Sequence, residues 1–255
     1  MKIFRIIKKT MNLVYNKICI YNSEYRKIKT IHPNRFSYIS YFRNFIPWYL
    51  SLSSDKNPLL DEQPWINFDA MRFLRVSLNS KMKVFEYGAG GSTLFFLNLT
   101  DKVFSVEHDE TWFMRVKECV SAKGKAENWT GYLKVPEYNN KLSSFDPGNP
   151  MLYQSSDINL SNMSFEAYAK SISNYPDDFF DVILLDGRAR PSCFLESKAK
   201  LKKNGFFILD NAEREHYSFV KDSLRDSGIW ELFDFISPGP YNLYFWQTTI
   251  WRKIL

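Results

Sequence analysis

The chain has few cysteines and few glycines, and it lacks a long uncharged apolar run. Its three cysteines, Cys19, Cys119 and Cys193, are far apart and form no C-x-x-C pair, so we expect neither a disulfide framework nor a cysteine zinc site. With 10 glycines in 255 residues and 45% hydrophobic residues, the composition excludes collagen-like, low-complexity and wholly disordered proteins. The cysteine usage favours a reducing compartment, and we expect a cytoplasmic protein.

Positive charge is concentrated at the N-terminus. Residues 1–50 contain ten Lys or Arg and a single acid, Glu24, whereas the whole chain carries +6. Early lysines and arginines interrupt any signal-peptide core, and no stretch reaches the roughly 18 apolar residues of a membrane span. Apolar residues recur at helical spacing between these charges: Ile3, Ile7, Met11, Val14 and Ile18. This pattern predicts a basic amphipathic helix that either packs on the main domain or attaches to an anionic membrane surface.

From about residue 82, short apolar runs alternate with helical segments, which is typical of a parallel sheet wrapped by helices. We predict strands at 83–87, 103–107, 131–135, 181–186 and 205–210, and helices at 92–98, 110–122, 164–173, 193–201 and 214–226. Two final strands, 229–236 and 241–252, flank a Ser-Pro-Gly-Pro turn and should form an antiparallel hairpin. We therefore predict an α/β domain at 65–255, with an insertion near 138–163, preceded by a basic, aromatic-rich extension at 1–64.

The first predicted strand runs into a glycine turn, Gly88-Ala89-Gly90-Gly91, and then into a helix. Ligands bind at such a turn in open α/β sheets. Gly88 and Gly90 remove side chains and let the backbone approach a cofactor, and a helix that begins at Ser92 offers free N–H groups. The sequence therefore predicts a cofactor site at this turn.

Two acids flank this turn. Glu86 lies two residues before the first glycine, and Glu107 ends the second predicted strand, followed by His108. A carboxylate at that second position is placed to accept hydrogen bonds from ribose hydroxyls. Because Glu86 would repel a pyrophosphate and Thr93 replaces the third glycine of G-x-G-x-x-G, we expect a cofactor that is neutral or cationic near the turn.

On these residues the sequence resembles the class I S-adenosylmethionine-dependent methyltransferases, over roughly residues 65–252. The resemblance implies a Rossmann-like seven-stranded sheet in the order 3-2-1-4-5-7-6 and S-adenosylmethionine as cofactor. It also implies that Gly88 and Gly90 lie along the methionine part and that Glu107 holds the ribose. An adenine contact is expected near Pro136 and Glu137, but that segment matches the family poorly and the contact stays open. The predicted cofactor-binding residues are Glu86, Gly88, Gly90, Ser92, Thr93, Glu107 and His108.

A second group of polar residues follows the fourth and fifth predicted strands. Asp186, Asp210 and Asn211 should converge at one edge of the sheet as oxygen donors of the kind that Mg²⁺ prefers. Here the chain is similar to the metal-dependent O-methyltransferases of the catechol and caffeoyl-coenzyme A kind, in which an Asp and an Asp-Asn hold the metal. In the alternative, Asp186 touches cofactor or substrate directly, and Asp210 and Asn211 only cap the next helix.

The resemblance to the metal-dependent enzymes is incomplete at the catalytic base. They carry a Lys three residues after the first Asp, where this chain has Ala189 between Arg188 and Arg190. Arginine is a poor base, but it can bind an anionic acceptor or stabilise an oxyanion. His216 follows the fifth strand and is a candidate general base for a hydroxyl. The predicted catalytic residues are Asp186, Arg188 and His216.

Together these features predict O-methylation of a hydroxyl group on a small molecule, sugar or glycan. Three other functions stay open: a nucleic-acid methyltransferase, a nicotinamide-dependent oxidoreductase, and a catalytically silent adaptor that keeps the cofactor fold. The segment after the fourth strand reads Asp-Gly-Arg-Ala instead of the Asn/Asp-Pro-Pro-aromatic loop of base N-methyltransferases, so a nucleic-acid partner is not expected. The basic extension favours an anionic or membrane-associated acceptor.

Overall fold

A seven-stranded mixed sheet lies at the centre of the computed structural model, which describes residues 2–35, 37–139, 144–226 and 228–255. The strands are β1 (Lys83–Tyr87), β2 (Lys102–Glu107), β3 (Trp129–Leu133), β4 (Phe180–Leu185), β5 (Leu201–Asp210), β6 (Trp230–Ser237) and β7 (Trp246–Lys253). In this numbering their order is 3-2-1-4-5-7-6, as predicted. β1 to β5 pair in parallel, and β7 is antiparallel to both β5 and β6.

The helices cover both faces of this sheet, which explains why the central strands are continuous apolar runs. They are α1 (Lys2–Ile31), α2 (Tyr38–Ser51), α3 (Pro58–Asp61), α4 (Phe68–Ser77), α5 (Gly91–Leu97), α6 (Glu110–Ala122), α7 (Glu166–Ala169), α8 (Arg190–Ser197) and α9 (Ser218–Ser223). None of the described helices is long and apolar enough to cross a membrane.

Several element boundaries differ from the prediction. β3 ends at Leu133 instead of residue 135, and the helix expected at 164–173 is the short α7 followed by a 3-10 turn at Lys170–Ile172. The helix expected at 214–226 begins as a 3-10 turn, Glu215–Tyr217, and ends with α9. At the predicted insertion, a two-stranded ribbon pairs Glu137–Tyr138 with Met163–Ser164. Residues 140–143 of that insertion lie outside the described residues.

The N-terminal extension packs on the sheet domain through aromatic side chains. Tyr21 and Tyr25 of α1 and Trp48 of α2 are buried in one hydrophobic cluster with residues of α4 and β1. Phe245, from the loop between β6 and β7, contacts all three rings. Residues on both sides of the predicted boundary at 64/65 thus share a core. The apolar face predicted from Ile3, Ile7 and Met11 lies outside the described side chains.

Candidate active site

Two glycine-containing loops meet at the carboxyl ends of β1 and β4. Gly88 has a φ of +98°, and a Cβ placed on it would lie 3.2 Å from the Cα of Gly187. A Cβ on Gly187 would in turn lie 2.0 Å from the Tyr168 hydroxyl and 2.9 Å from the backbone of Tyr87. The chain therefore needs glycine at both positions for the loops to come together. Gly88 was among the predicted site residues but Gly187 was not, because the two glycines are about a hundred residues apart in the chain.

A third glycine joins this turn to the N-terminal extension. A Cβ on Gly91 would lie 2.2 Å from the backbone oxygen of Gln63 and 2.3 Å from that of Pro58. Because backbone atoms cannot move aside as a flexible side chain can, the close approach of the α3 region requires Gly91. The segment around α3 therefore lies directly on the glycine turn.

A cavity of about 470 Å³ opens beside these loops, at the carboxyl ends of β1, β2 and β4. This volume lies within the usual range for small-molecule sites. Seven of the predicted site residues line it: Gly88, Gly90, Ser92, Glu107, His108, Asp186 and Arg188. Eight more lining residues are not among the predicted site residues: Pro58, Trp65, Ala89, Gly91, Asp109, Trp112, Gly187 and Arg190. Pro136 and Glu137, where an adenine contact was expected, are not among its lining residues.

Glu107 places a carboxylate in the cavity wall, and only 4% of the residue is exposed. Its Oε1 accepts hydrogen bonds from the backbone N–H groups of His108 (2.7 Å) and Asp109 (2.9 Å) and lies 2.6 Å from His108 Nδ1. Its Oε2 accepts from the backbone N–H of Ala89 at 3.1 Å. One carboxylate thus holds the ends of β1 and β2 together, and Oε2 keeps acceptor capacity for a ligand.

A chain of polar contacts connects Glu107 with the predicted insertion. His108 Nδ1 contacts Glu107, and its Nε2 accepts a hydrogen bond from Arg188 Nε at 3.4 Å. Arg188 Nη1 also pairs with Asp157 Oδ2 at 3.2 Å. Arg188 is therefore held between His108, in the wall of the cavity, and Asp157 of the insertion.

Glu86 and Thr93, both predicted to bind cofactor, lie beneath the glycine turn and do not line the cavity. Glu86 is fully buried, and its Oε1 accepts hydrogen bonds from Thr93 Oγ1 and from Ser105 Oγ (2.6 Å). Thr93 Oγ1 accepts in turn from the backbone N–H of Gly90 at 3.0 Å. Burial raises the pKa of Glu86 to about 7. We correct both assignments: these two side chains support the turn from inside.

The raised pKa of Glu86 predicts a pH-dependent stability. In the unfolded chain the group ionises near its ordinary pKa of 4.5, but in the folded chain near 7, so rising pH favours the unfolded state across this window. Below pH 4.5 we expect Glu86→Gln and wild type to have the same free energy of unfolding. Above pH 7 we expect the variant's free energy of unfolding to be larger by up to roughly 3 kcal/mol. Urea unfolding at both pH values measures this difference, with Glu118→Gln, an exposed site on α6, as control. An equal difference at both pH values contradicts it.

Arg190 occupies the space between the ends of β4 and β5, where a metal was predicted. Its Nη2 donates to the backbone oxygen (2.9 Å) and Oδ1 (3.0 Å) of Asp186. Its Nη1 donates to the backbone oxygen of Asp210 and, at 3.4 Å, to Asn211 Oδ1. Asp210 Oδ1 is already bound by Trp246 Nε1 at 2.8 Å and Thr248 Oγ1 at 2.5 Å.

The three predicted metal ligands thus lie at one edge of the sheet, but the guanidinium of Arg190 already pairs with the Asp186 carboxylate there. Among the described residues no group of three or more His, Cys, Asp or Glu could hold a metal ion. Burial raises the pKa of both Asp186 and Asp210, and for Asp210 the nearby Asp186 charge raises it further. The predicted set of Asp186, Asp210 and Asn211 does not fit Mg²⁺, because Arg190 binds the Asp186 carboxylate, the backbone oxygen of Asp210 and Asn211 Oδ1.

A smaller cavity of about 260 Å³ adjoins the first. The two share Asp186 and Trp65 as lining residues. The rest of its wall is aromatic or polar: Asp210, Asn211, Arg214, Asn242, Tyr244 and Trp246. Its outer loop is held by α2, because Trp48 Nε1 donates to the backbone oxygen of Asn242 at 2.8 Å. Neither Trp65 nor Tyr244 was predicted as a site residue.

His216, predicted as a general base, lines neither cavity. It lies on the 3-10 turn Glu215–Tyr217, and a Cβ on Gly148 would lie 3.3 Å from its backbone oxygen. Its Nε2 is buried and has no hydrogen-bond partner among the described residues. Burial, followed by the charge of Arg214, lowers the pKa of His216. The 3-10 turn, which replaces the expected helix, thus packs His216 against the insertion and away from the site.

Comparison with solved structures shows that the chain has the fold of class I S-adenosylmethionine-dependent methyltransferases. A Klebsiella pneumoniae protein provisionally described as an O-methyltransferase matches with a TM-score of 0.54 and 13% identity, over 87% of this chain and 99% of that one. An O-methyltransferase of Bacillus cereus in complex with SAH matches with a TM-score of 0.51 and 11% identity, over 80% of this chain and 86% of that one. An rRNA methylase of Streptococcus thermophilus matches with a TM-score of 0.51 and 13% identity, over 80% of this chain and 100% of that one. No protein-family model and no curated protein matches the chain.

Proposed function

We propose that this protein is an S-adenosylmethionine-dependent methyltransferase that acts on a hydroxyl group of a small acceptor. The observation that carries the proposal is the pair of adjoining cavities that share Asp186. One contains the glycine turn and the buried Glu107 carboxylate, and the other has an aromatic and polar wall. A donor and an acceptor in these two cavities would meet beside one carboxyl group.

The larger cavity fits S-adenosylmethionine in its chemistry. Glu107 Oε2, which accepts only the Ala89 N–H among the described hydrogen bonds, is suited to ribose hydroxyls. The indole of Trp112, fixed by a 2.7 Å hydrogen bond to the backbone oxygen of Ala89, offers a flat wall to the nucleoside. When bound, S-adenosylmethionine supplies an activated methyl group on a cationic sulfur.

The chain's own task is to orient the acceptor, exclude water and remove one proton. Asp186 Oδ1 is held by Arg190, and no hydrogen bond of the described residues involves its Oδ2. Because burial raises its pKa, Asp186 is a stronger base than an ordinary carboxylate and can take the hydroxyl proton as the oxygen–carbon bond forms. Trp65 lines both cavities, as Asp186 does.

The acceptor that this wall fits is a single ring with polar substituents. Trp65, Tyr244 and Trp246 provide flat apolar surfaces, while Asn211 and Arg214 provide hydrogen-bonding groups. A cavity of about 260 Å³ has room for one sugar or phenol ring. This composition supports a small hydroxylated molecule, or the end of a glycan, as acceptor.

We propose that the reaction does not need a divalent metal, because Arg190 supplies the positive charge between Asp186 and Asp210. Turnover of the purified protein with EDTA is expected to match turnover with added Mg²⁺. Loss of activity in EDTA that Mg²⁺ restores would contradict this expectation.

Calorimetry on the purified chain tests the proposed cofactor. We expect S-adenosylhomocysteine to bind and NADH not to bind. Glu107→Gln should weaken S-adenosylhomocysteine about tenfold or more, because a charged acceptor binds hydroxyls more tightly than an amide does. Glu110→Gln, an exposed site at the start of α6, is the matched control. NADH binding without S-adenosylhomocysteine binding would favour the oxidoreductase, and equal affinity in both variants would remove Glu107 from the site.

A further inference from the structure

The outer face of α2 is apolar although it faces solvent. Its exposed side chains lie three or four residues apart or next to each other on one side of the helix: Tyr38, Ile39, Phe42, Ile46 and Leu50, each between 58% and 73% exposed. A helix at the surface of a soluble domain normally presents polar side chains to solvent and keeps its apolar stripe toward the core, whereas α2 carries apolar residues on both sides. We call these five residues the α2 face.

The inner side of α2 is already filled by other side chains, because Trp48 is buried in the core and polar residues lie beside it. Ser40 and Asn44 are buried and donate to the Asp69 carboxylate, Asn44 at 3.1 Å. Tyr25 of α1 also lies within 3.1 Å of Ser40 Oγ. This polar network fixes the orientation of α2, so the apolar residues cannot turn inward without leaving buried hydrogen-bonding groups unpaired.

Basic side chains border the α2 face on both sides. Lys29 Nζ lies 3.2 Å from the Tyr38 hydroxyl, and Lys17 Nζ lies 4.9 Å from the centre of the Tyr49 ring. On the other side Arg43, half exposed, pairs with Asp69. The first fifty residues contain ten Lys or Arg and one acid, so the N-terminal extension that includes α2 has a net positive charge.

We propose that the α2 face docks on an anionic lipid bilayer and inserts its apolar side chains between the headgroups. An apolar helix face bordered by lysine and arginine is the combination that binds such interfaces. A second copy of the chain fits less well, because a twofold contact through this face would place its basic borders beside each other. Nucleic acid would pair with the charges but leave the aliphatic side chains exposed.

This inference is independent of methyl transfer, and its test measures vesicle binding. The full chain is sedimented with phosphatidylcholine vesicles with and without about 30 mol% phosphatidylglycerol. We expect binding to the anionic vesicles only, and weaker binding at high salt. Phe42→Ser combined with Ile46→Ser should weaken binding more than about tenfold. The control combines Met114→Ser with Val135→Ser, which are exposed apolar residues outside the α2 face, and should bind as wild type does.

Circular dichroism and thermal unfolding of each variant establish that it is folded. Equal binding to neutral and anionic vesicles, no binding by wild type, or unchanged binding by the α2 variant would each overturn the proposal. A wild-type dimer that the α2 variant converts to monomer, without vesicle binding, would make the face an interface between copies. Binding to single-stranded RNA in place of vesicles would identify a nucleic-acid surface.

Discussion

Replacing Asp186 by asparagine is expected to lower kcat by about 10²–10⁴-fold, the usual contribution of a general base. Asparagine can still accept the hydrogen bond that Arg190 Nη2 donates to Oδ1, at 3.0 Å in the wild type. The change therefore removes the basic group while keeping the contact that positions it. Turnover would be measured with a panel of hydroxylated rings, because the acceptor is defined only by its chemistry.

The pH profile separates this role from a structural one. Since only ionised Asp186 can accept a proton and burial raises its pKa, wild-type activity should rise with pH, with a midpoint above the ordinary value of about 3.9. Asp186→Asn should lack that rise. Asp181→Asn, on the same strand at the far end from the cavity, is the control and should keep it. A kcat within threefold of wild type and an unchanged profile would exclude Asp186 as the base.

Replacing Arg190 by methionine is expected to destabilise the fold by about 3–5 kcal/mol, because the Asp186 carboxyl group loses its ion-pair partner and the buried Asp210 loses the nearby positive charge. Only 7% of the Arg190 side chain is exposed, and it contacts Asp186, Gly187, Asp210 and Asn211. The melting temperature should fall by roughly 10 °C. The exposed Arg225, whose side chain is 80% accessible, is the control, and Arg225→Met should change stability by less than about 0.5 kcal/mol.

A second substitution tests whether the lost counterion is the cause. Asp210→Asn removes one of the buried carboxyl groups, and its amide oxygen can still accept from Trp246 and Thr248. The double variant Arg190→Met with Asp210→Asn should therefore be more stable than Arg190→Met alone. If the double variant is less stable, packing of the arginine and not its charge is what the fold requires.

The sheet could be predicted from the sequence because its signals are local. Buried parallel strands are continuous apolar runs, and the glycine turn and the Ser-Pro-Gly-Pro turn at 237–240 mark where strands end. Glu107 and Asp186 were identified for the same reason, since Glu107 ends one strand and Asp186 directly follows another. Both residues therefore lie where they were predicted, at the carboxyl ends of the parallel strands.

The rest of the site depends on contacts between distant segments. Trp65 and Pro58 reach the cavity because the α3 region lies against Gly91, and no local pattern indicates that contact. Arg190 was considered as an acceptor-binding group, but its place between two strand ends follows from the turn at Ala189, a residue with φ of +46°. Spacing alone shows that Asp186, Asp210 and Asn211 converge, but it does not show that Arg190 occupies the centre between them.

The hydrogen bond from Trp48 to Asn242 has a consequence for how acceptor choice can change. It joins residues 194 positions apart, and Asn242 lines the smaller cavity while Trp48 belongs to α2. Exchanging α2 for the corresponding helix of a relative would therefore change the shape of the smaller cavity. Under the proposed function, substitutions in α2 would alter acceptor choice although this helix lines neither cavity.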